Sequence, residues 1–224
     1  MIQTINKPDF GNAEREAYAL LKTSKATIFP IKPLDLILSR PDCKVQTYAE
    51  FAHRHNIDEQ EVCDLLDSND AATWEKNGNK IIFYNQNISS HGRIRFTLAH
   101  ELGHIVLGHI AKNPISPISC RIGGISDEQY DIYEKEANYF AKRLLVPLPV
   151  ITKLTDTLNT HSIDAYDISS VFETSLQTAI YIISNLQNAW YREVDEEMCE
   201  QFDQGIKAAK KSIEYPFKSD CILS

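Results

Sequence analysis

The sequence predicts an α+β fold that is mostly helical, with a small antiparallel sheet and a C-terminal segment of helix-turn-helix outline. Three observations carry this. Apolar residues recur at helical spacing through most of the chain, as in Tyr133, Ala137, Phe140, Ala141 and Leu144, the pattern of a helix with one buried side. The period shortens where Ala72 to Glu75 and Lys80 to Tyr84 flank Asn77-Gly78, a dipeptide suited to the positive φ of a tight hairpin turn. Between these regions, Thr97 to His109 reads TLAHELGHIVLGH, with Leu98, Leu102, Ile105 and Val106 marking a helix that buries one face.

Taken in order, Ala13, Ala17, Leu20 and Leu21 predict an amphipathic helix over residues 12–25. Phe29-Pro30-Ile31-Lys32-Pro33 breaks it. Pro33 can open a short helix through Ile37, because the first helical position has no use for the missing N–H. Lys44 to Gln46 reads as a short strand. Thr47 with Glu50, and Asp58 with Glu61, are capping-box signals, in which side chain and backbone satisfy each other's end groups. They start helices through His55 and Leu66. After the hairpin, Ser89-Ser90 cap a long helix that Asn113-Pro114 ends. Residues 113–127 are rich in Pro, Gly and Ser and form a loop. A helix follows from Asp127 to Leu145, punctuated by Pro147 and Pro149. Ile168, Val171 and Phe172, then Leu176, Ala179, Ile180 and Ile183, give two helices joined at Thr174-Ser175, the helix-turn-helix outline. Val194, Met198 and Phe202 mark a final helix, with a loosely held tail after Lys211. The chain thus divides into a core of residues 1–147, a helical segment of residues 148–190, and a terminal helix and tail of residues 191–224.

Composition narrows the class. The 224 residues suffice for one domain with a core and an appendage. Apolar content of 43% and charged content of 24% are ordinary for a soluble globular protein. A net charge of −8 argues against nonspecific binding to nucleic acid or membrane surfaces. The N-terminus, MIQTINKPDFGNAERE, has no apolar core of a secretory signal, and no run approaches the roughly 18 apolar residues of a membrane span. Cys43, Cys63, Cys120, Cys199 and Cys221 are odd in number and irregularly spaced, without a C-x-x-C. They fit the reduced thiols of a cytoplasmic protein.

The chemistry concentrates in His100-Glu101-Leu102-Gly103-His104, an H-E-x-x-H pattern. A helix advances about 100° per residue, so the two histidines project from one face one turn apart. They can grip one metal ion, and Glu101 can reach a water beside it. Catalytic zinc sites take three protein ligands. A third histidine six residues after His104 is ruled out, since that position is Ile110 and the glycine such motifs require is replaced by Leu107. His109 is one residue off, about 100° away, and reads as a packing residue or one that braces a ligand. A glutamate on the following helix remains, from Glu134 or Glu136. Glu134 shares a face with Asn138, turned toward the core, so that Asn138 could hydrogen-bond a liganding histidine. Glu136 is about 200° from Glu134 and is expected in solvent. Helix geometry therefore favours Glu134. The strand KIIFY, Lys80 to Tyr84, precedes the helix of the two histidines; it reads as an ordinary sheet strand or as one along the cleft whose free edge can pair with an extended substrate, and both can hold.

RIRFTLAHELGHIVLGH (Arg93 to His109) followed by EKEANYFAKRLLVP (Glu134 to Pro147) resembles the ImmA/IrrE family of zinc metallopeptidases. The likeness spans about residues 10–190 and is sharpest from Arg93 to Pro147. It implies a gluzincin-like, zincin-type peptidase core over residues 1–147, with His100, His104 and Glu134 as metal ligands and Glu101 as the catalytic carboxylate. It implies a substrate that is a helix-turn-helix transcriptional repressor, whose cleavage releases genes of a mobile element or a stress response. Some members carry a further sensor domain, for which this chain is expected to be too short.

The two-nitrogen, one-carboxylate set suits Zn²⁺ and leaves Mn²⁺ or Fe²⁺ open. Tyr130, Tyr133, His91 and His109 are candidates for stabilising the oxyanion of a peptide hydrolysis. Two other readings compete. One is a metal-binding regulator that sequesters a repressor without cutting it. The other is a DNA-binding module built on residues 165–189. No Lys or Arg occurs between Leu154 and Tyr191, so the cations that meet phosphates are missing, and direct nucleic-acid binding is not expected.

Overall fold

The computed structural model of the chain describes residues 7–110, 127–159, 162–188 and 195–215. Its elements are α1 (Phe10–Thr23), α2 (Pro33–Leu38), β1 (Cys43–Thr47), α3 (Tyr48–His55), α4 (Glu59–Leu66), β2 (Ala71–Lys76), β3 (Asn79–Tyr84), α5 (His91–Val106), α6 (Asp127–Leu145), α7 (Leu148–Thr157), α8 (Ala165–Phe172), α9 (Leu176–Asn188), α10 (Glu196–Gln201) and α11 (Asp203–Glu214). The fold is α+β and mostly helical. Among the described residues, no helix is long and apolar enough to cross a membrane.

Local chemistry sets many boundaries. At α3 the Thr47 hydroxyl accepts the Glu50 N–H at 3.1 Å, and the Glu50 carboxylate accepts the Thr47 N–H at 2.8 Å. Asp58 and Glu61 repeat the arrangement at α4. Asn56 and Asp67, both with left-handed backbone, close these helices, since residues with short polar side chains tolerate that conformation best after glycine. The turn between β2 and β3 has φ of +54° at Asn77 and +78° at Gly78, as a two-residue hairpin connection needs.

The sheet has three strands in the order β1-β3-β2. β2 and β3 pair antiparallel as the hairpin, but β1 pairs parallel with β3, Cys43 opposite Lys80 and Thr47 opposite Tyr84. The sheet is therefore mixed rather than purely antiparallel, with α3 and α4 within the connection that a parallel pair requires. This also corrects the expectation for KIIFY. Lys80 to Tyr84 lie in the central strand, paired on both sides, and β1 and β2 are the outer strands. The continuous apolar run Ile81-Ile82-Phe83-Tyr84 is what a strand covered on both faces carries.

The chain folds as two compact units. The first, Met1–Ala17 with Lys32–Ala141, has a core of Tyr48, Phe51, Ala52, Val62, Leu66, Ala72 and Phe83. Phe51, Trp74 and Phe83 meet edge to face at 5.1–6.0 Å between ring centroids, the geometry aromatic quadrupoles favour. The second unit is Tyr18–Ile31 with Lys142–Ser224. There Phe29 lies 4.6 Å from Phe172 and 4.9 Å from Phe202. A Cβ on Gly205 would meet Phe29 and Ile28 at 3.0–3.1 Å, so only glycine allows α11 so close. The Gln201 amide donates to the carbonyls of Leu21 and Ala26, satisfying backbone acceptors left over where α1 ends.

Three boundaries differ from expectation. α5 ends at Val106, not at Asn113-Pro114, which lies outside the described residues together with the rest of 111–126. The final helix is two, α10 and α11, meeting at Phe202. Helix continues past Lys211 to Glu214, and most of the tail beyond lies outside the described residues. The helix pair expected around Thr174-Ser175 is present as α8 and α9, with Glu173 in a left-handed turn between them.

Candidate metal centre

α5 begins at Ser90, whose hydroxyl accepts the Arg93 N–H at 3.3 Å. Leu98, Ala99, Leu102 and Gly103 form its buried side. At Gly103 the helix passes close to α6: a Cβ there would meet Phe140 Cδ1 at 3.0 Å and the Ala137 backbone at 3.3 Å. The two helices can cross this tightly only because position 103 has no side chain. The crossing brings Glu134, one turn before Ala137, over the face that carries both histidines.

The result is a compact cluster. His100 Nε2 and His104 Nε2 are 3.0 Å apart. Glu134 Oε2 is 3.3 Å from His100 Nε2, and its Oε1 is 3.2 Å from His104 Nε2. A tetrahedral zinc ion bound at about 2.0–2.1 Å separates its ligand atoms by roughly 3.3 Å. The two nitrogens stand near that spacing, each faces a different oxygen of Glu134, and one ligand atom from each residue lies within 4.8 Å of the others. The set of two imidazoles and one carboxylate also fits zinc. Among the described residues, these three are the one group of His, Cys, Asp and Glu arranged so that it could hold a metal ion.

Electrostatics agree with that fit. Burial works against charge on His100, but Glu134, then Glu101 and Asn138, outweigh it and raise the ring's proton affinity. Burial likewise opposes charge on Glu134, yet hydrogen bonds from His100 and His104 hold its carboxyl well below the usual carboxylate range. A site that stabilises positive charge between two imidazoles and an ionised carboxylate is one a divalent cation can enter by displacing protons.

Glu101 lines the same cavity as these three residues and is tied to β2. Thr73 donates its hydroxyl to Glu101 Oε2 at 2.6 Å, which fixes the carboxylate's orientation from that strand. A cavity of about 390 Å³ opens over the site, lined among others by Ala72, Thr73, Phe96, Tyr130 and Asn138. Of the four oxyanion candidates, Tyr130 lines it, whereas Tyr133, His91 and His109 do not. Asn138 stands beside His100 among the groups that favour its charge, and His100 Nδ1 is buried without a hydrogen bond.

Glu136 is the clear correction. Expected in solvent, it is only 7% exposed. It accepts the Asp9 N–H on Oε1 at 2.6 Å and meets His109 Nε2 with Oε2 at 2.8 Å. The 200° offset from Glu134 does turn it elsewhere, but α6 is covered on that side too. The chain around Asp9 packs there, with the Phe10 and Tyr139 rings 4.8 Å apart. His109 is placed by a chain reversal rather than by helical geometry. Gly108, at φ +73°, ends the helix, and the His109 N–H bonds back to the His104 carbonyl at 2.9 Å, as glycine termini commonly do. Its Nδ1 then lies 3.2 Å from His104 Nδ1, and its ring stacks on Tyr133 at 4.3 Å. Burial, with the neighbouring His104, brings its pKa down to about 3, so the ring is neutral at pH 7. The one sequence signal was a histidine directly after a glycine at the end of the motif helix.

No curated protein matches the chain. A family model does: the IrrE N-terminal-like domain, Peptidase M78, aligns with residues 61–184. That stretch is more than half of the chain and takes in the hairpin, the whole of α5 and the whole of α6. The helix crossing and the resemblance in Arg93 to Pro147 therefore lead to one conclusion: this chain belongs to the Peptidase M78 family of IrrE N-terminal-like domains.

Proposed function

We propose that the chain is a zinc-dependent endopeptidase of the cytoplasm that cleaves a helix-turn-helix transcriptional repressor and so derepresses mobile-element or stress-response genes. The observation that carries the enzymatic part is the 3.0–3.3 Å spacing of His100, His104 and Glu134, with the Glu101 carboxylate held beside them. The repressor is inferred from the resemblance of Arg93 to Pro147 to the ImmA/IrrE peptidases. The net charge of −8 suits a basic, DNA-binding partner.

In this reading His100, His104 and Glu134 hold the ion, which supplies Lewis acidity and lowers the pKa of water at the site. Glu101 accepts the proton of the attacking water as the new C–O bond forms. It returns that proton to the leaving amine as the C–N bond breaks. Thr73 keeps Oε2 of Glu101 occupied, leaving the other oxygen for this transfer. Of the four candidates, Tyr130 is the one that lines the cavity and could donate to the developing oxyanion. The outer strand β2, whose residues Ala71, Ala72 and Thr73 line the cavity, offers the free edge along which an extended peptide could pair.

The test is incubation of the zinc-loaded chain with a helix-turn-helix repressor encoded beside it, followed by mass spectrometry. Discrete fragments with the wild type, and none with Glu101→Gln, are expected. A stable complex without fragments would replace the enzyme by a sequestering regulator.

A further inference from the structure

Two buried ionisable side chains, Glu136 and His109, have no role in the reaction just described. They form a hydrogen-bonded chain that ends on a proposed ligand. Glu136 accepts the Asp9 N–H on Oε1 and faces His109 Nε2 with Oε2. His109 Nδ1 faces His104 Nδ1 at 3.2 Å. His104 Nε2 faces His100 and Glu134. With both Glu136 oxygens serving as acceptors, His109 carries its hydrogen on Nε2 and turns the Nδ1 lone pair toward His104. With an ion bound, His104 would then carry its hydrogen on Nδ1 and give its Nε2 lone pair to the ion, in place of the hydrogen it shares with Glu134 Oε1 without one.

We propose that Glu136 and His109 are positioning residues that select the metal-binding tautomer of His104 and lock its ring. This rests on the metal site of the proposed function. The Tyr133 ring stacked on His109 at 4.3 Å and the left-handed Gly108 hold the intermediate histidine in place. Histidine ligands commonly donate their second N–H to a carboxylate or carbonyl, and loss of such a partner typically costs 10–100-fold in metal affinity. Here the carboxylate acts one imidazole further away, and the peptide at Asp9 anchors it.

Glu136→Gln tests the direction of the chain with almost no change of shape. The Asp9 N–H requires an acceptor at Oε1, so the glutamine must turn its NH₂ toward His109. That reverses both tautomers and leaves His104 with a hydrogen on Nε2. His109→Phe keeps the stack on Tyr133 and removes both nitrogens. Zn²⁺ affinity would be measured by competition with a chromophoric chelator, alongside the visible spectrum of the Co²⁺-substituted protein and the melting midpoint of the metal-free protein. The expected result is a roughly 10–100-fold weaker Zn²⁺ affinity in both variants, an altered Co²⁺ spectrum, and, for the near-isosteric Glu136→Gln, a metal-free midpoint close to wild type. Zn²⁺ affinity within twofold of wild type in Glu136→Gln, or a lowered metal-free midpoint with unchanged affinity, would overturn the proposal. A wild type that binds no Zn²⁺ would instead remove the metal site on which it rests.

Discussion

The bond from Thr73 to Glu101 joins the outer strand β2 to the motif helix, and its short 2.6 Å length marks a hydroxyl donating to a carboxylate. A hydrogen bond to a charged group contributes about 1.5–3 kcal/mol. If it orients Glu101 for proton transfer, Thr73→Val should lower kcat roughly tenfold to a hundredfold, with KM and bound metal nearly unchanged. Steady-state cleavage of a defined peptide checks this, and a change confined to KM would assign Thr73 to substrate binding instead. At this scale, sequence spacing is informative wherever one helix decides the answer. The 100° step puts His100 and His104 on one face and separates Glu134 from Glu136. It does not say what covers each face. The burial of Glu136 depends on Asp9, 127 positions away, and that of His109 on a reversal at Gly108.

Helix crossing at Gly103 sets the distance between α5 and α6. Alanine there would gain about 1 kcal/mol in helix propensity. Its Cβ, however, would stand 3.0 Å from Phe140 and 3.3 Å from the Ala137 backbone, and overpacking of this kind costs about 1–3 kcal/mol. Gly103→Ala should therefore lower the chemical denaturation midpoint and weaken metal binding, because Glu134 moves with α6. An unchanged midpoint would mean that the helices separate freely. The junction of β1 and β3 responds to pH. Lys80 donates to Asp42 at 3.0 Å, and this bond, chiefly, holds the Asp42 carboxyl below its ordinary value of 3.8. A depressed carboxylate stabilises the fold above its unfolded pKa, and that contribution is lost as pH falls through the folded value. The pair is partly exposed, so the effect is small. The stability difference between wild type and Asp42→Asn should be constant above about pH 5 and shrink as the pH falls below the ordinary carboxylate range, as followed by urea titration. Capping boxes and the Asn77-Gly78 turn were legible because they are local. The parallel pairing of β1 was not, since its partner β3 lies more than thirty residues on and no short-range signal specifies it.

For the molecule as a whole, the three proposed ligand residues all fall within the first compact unit, so metal binding would be linked to the folding of that unit. A ligand at 1,000 times its Kd stabilises by about 4.1 kcal/mol. Chelation should thus lower the melting midpoint of wild type by several degrees and leave that of His100→Ala where it was. The grouping of Tyr18–Ile31 with Lys142–Ser224 has no local marker in the sequence. It arises from hydrogen bonds such as those of Gln201 to Leu21 and Ala26. The centre itself is a meeting of two helices that are separate in the chain, and one quantity reports directly on it: metal bound per chain, measured by elemental analysis of wild type, Glu101→Gln and Glu134→Ala. About one zinc per chain is expected for wild type and for Glu101→Gln, against almost none for Glu134→Ala, from three-ligand coordination. A Glu134→Ala protein that keeps its full complement of metal at unchanged affinity would contradict it.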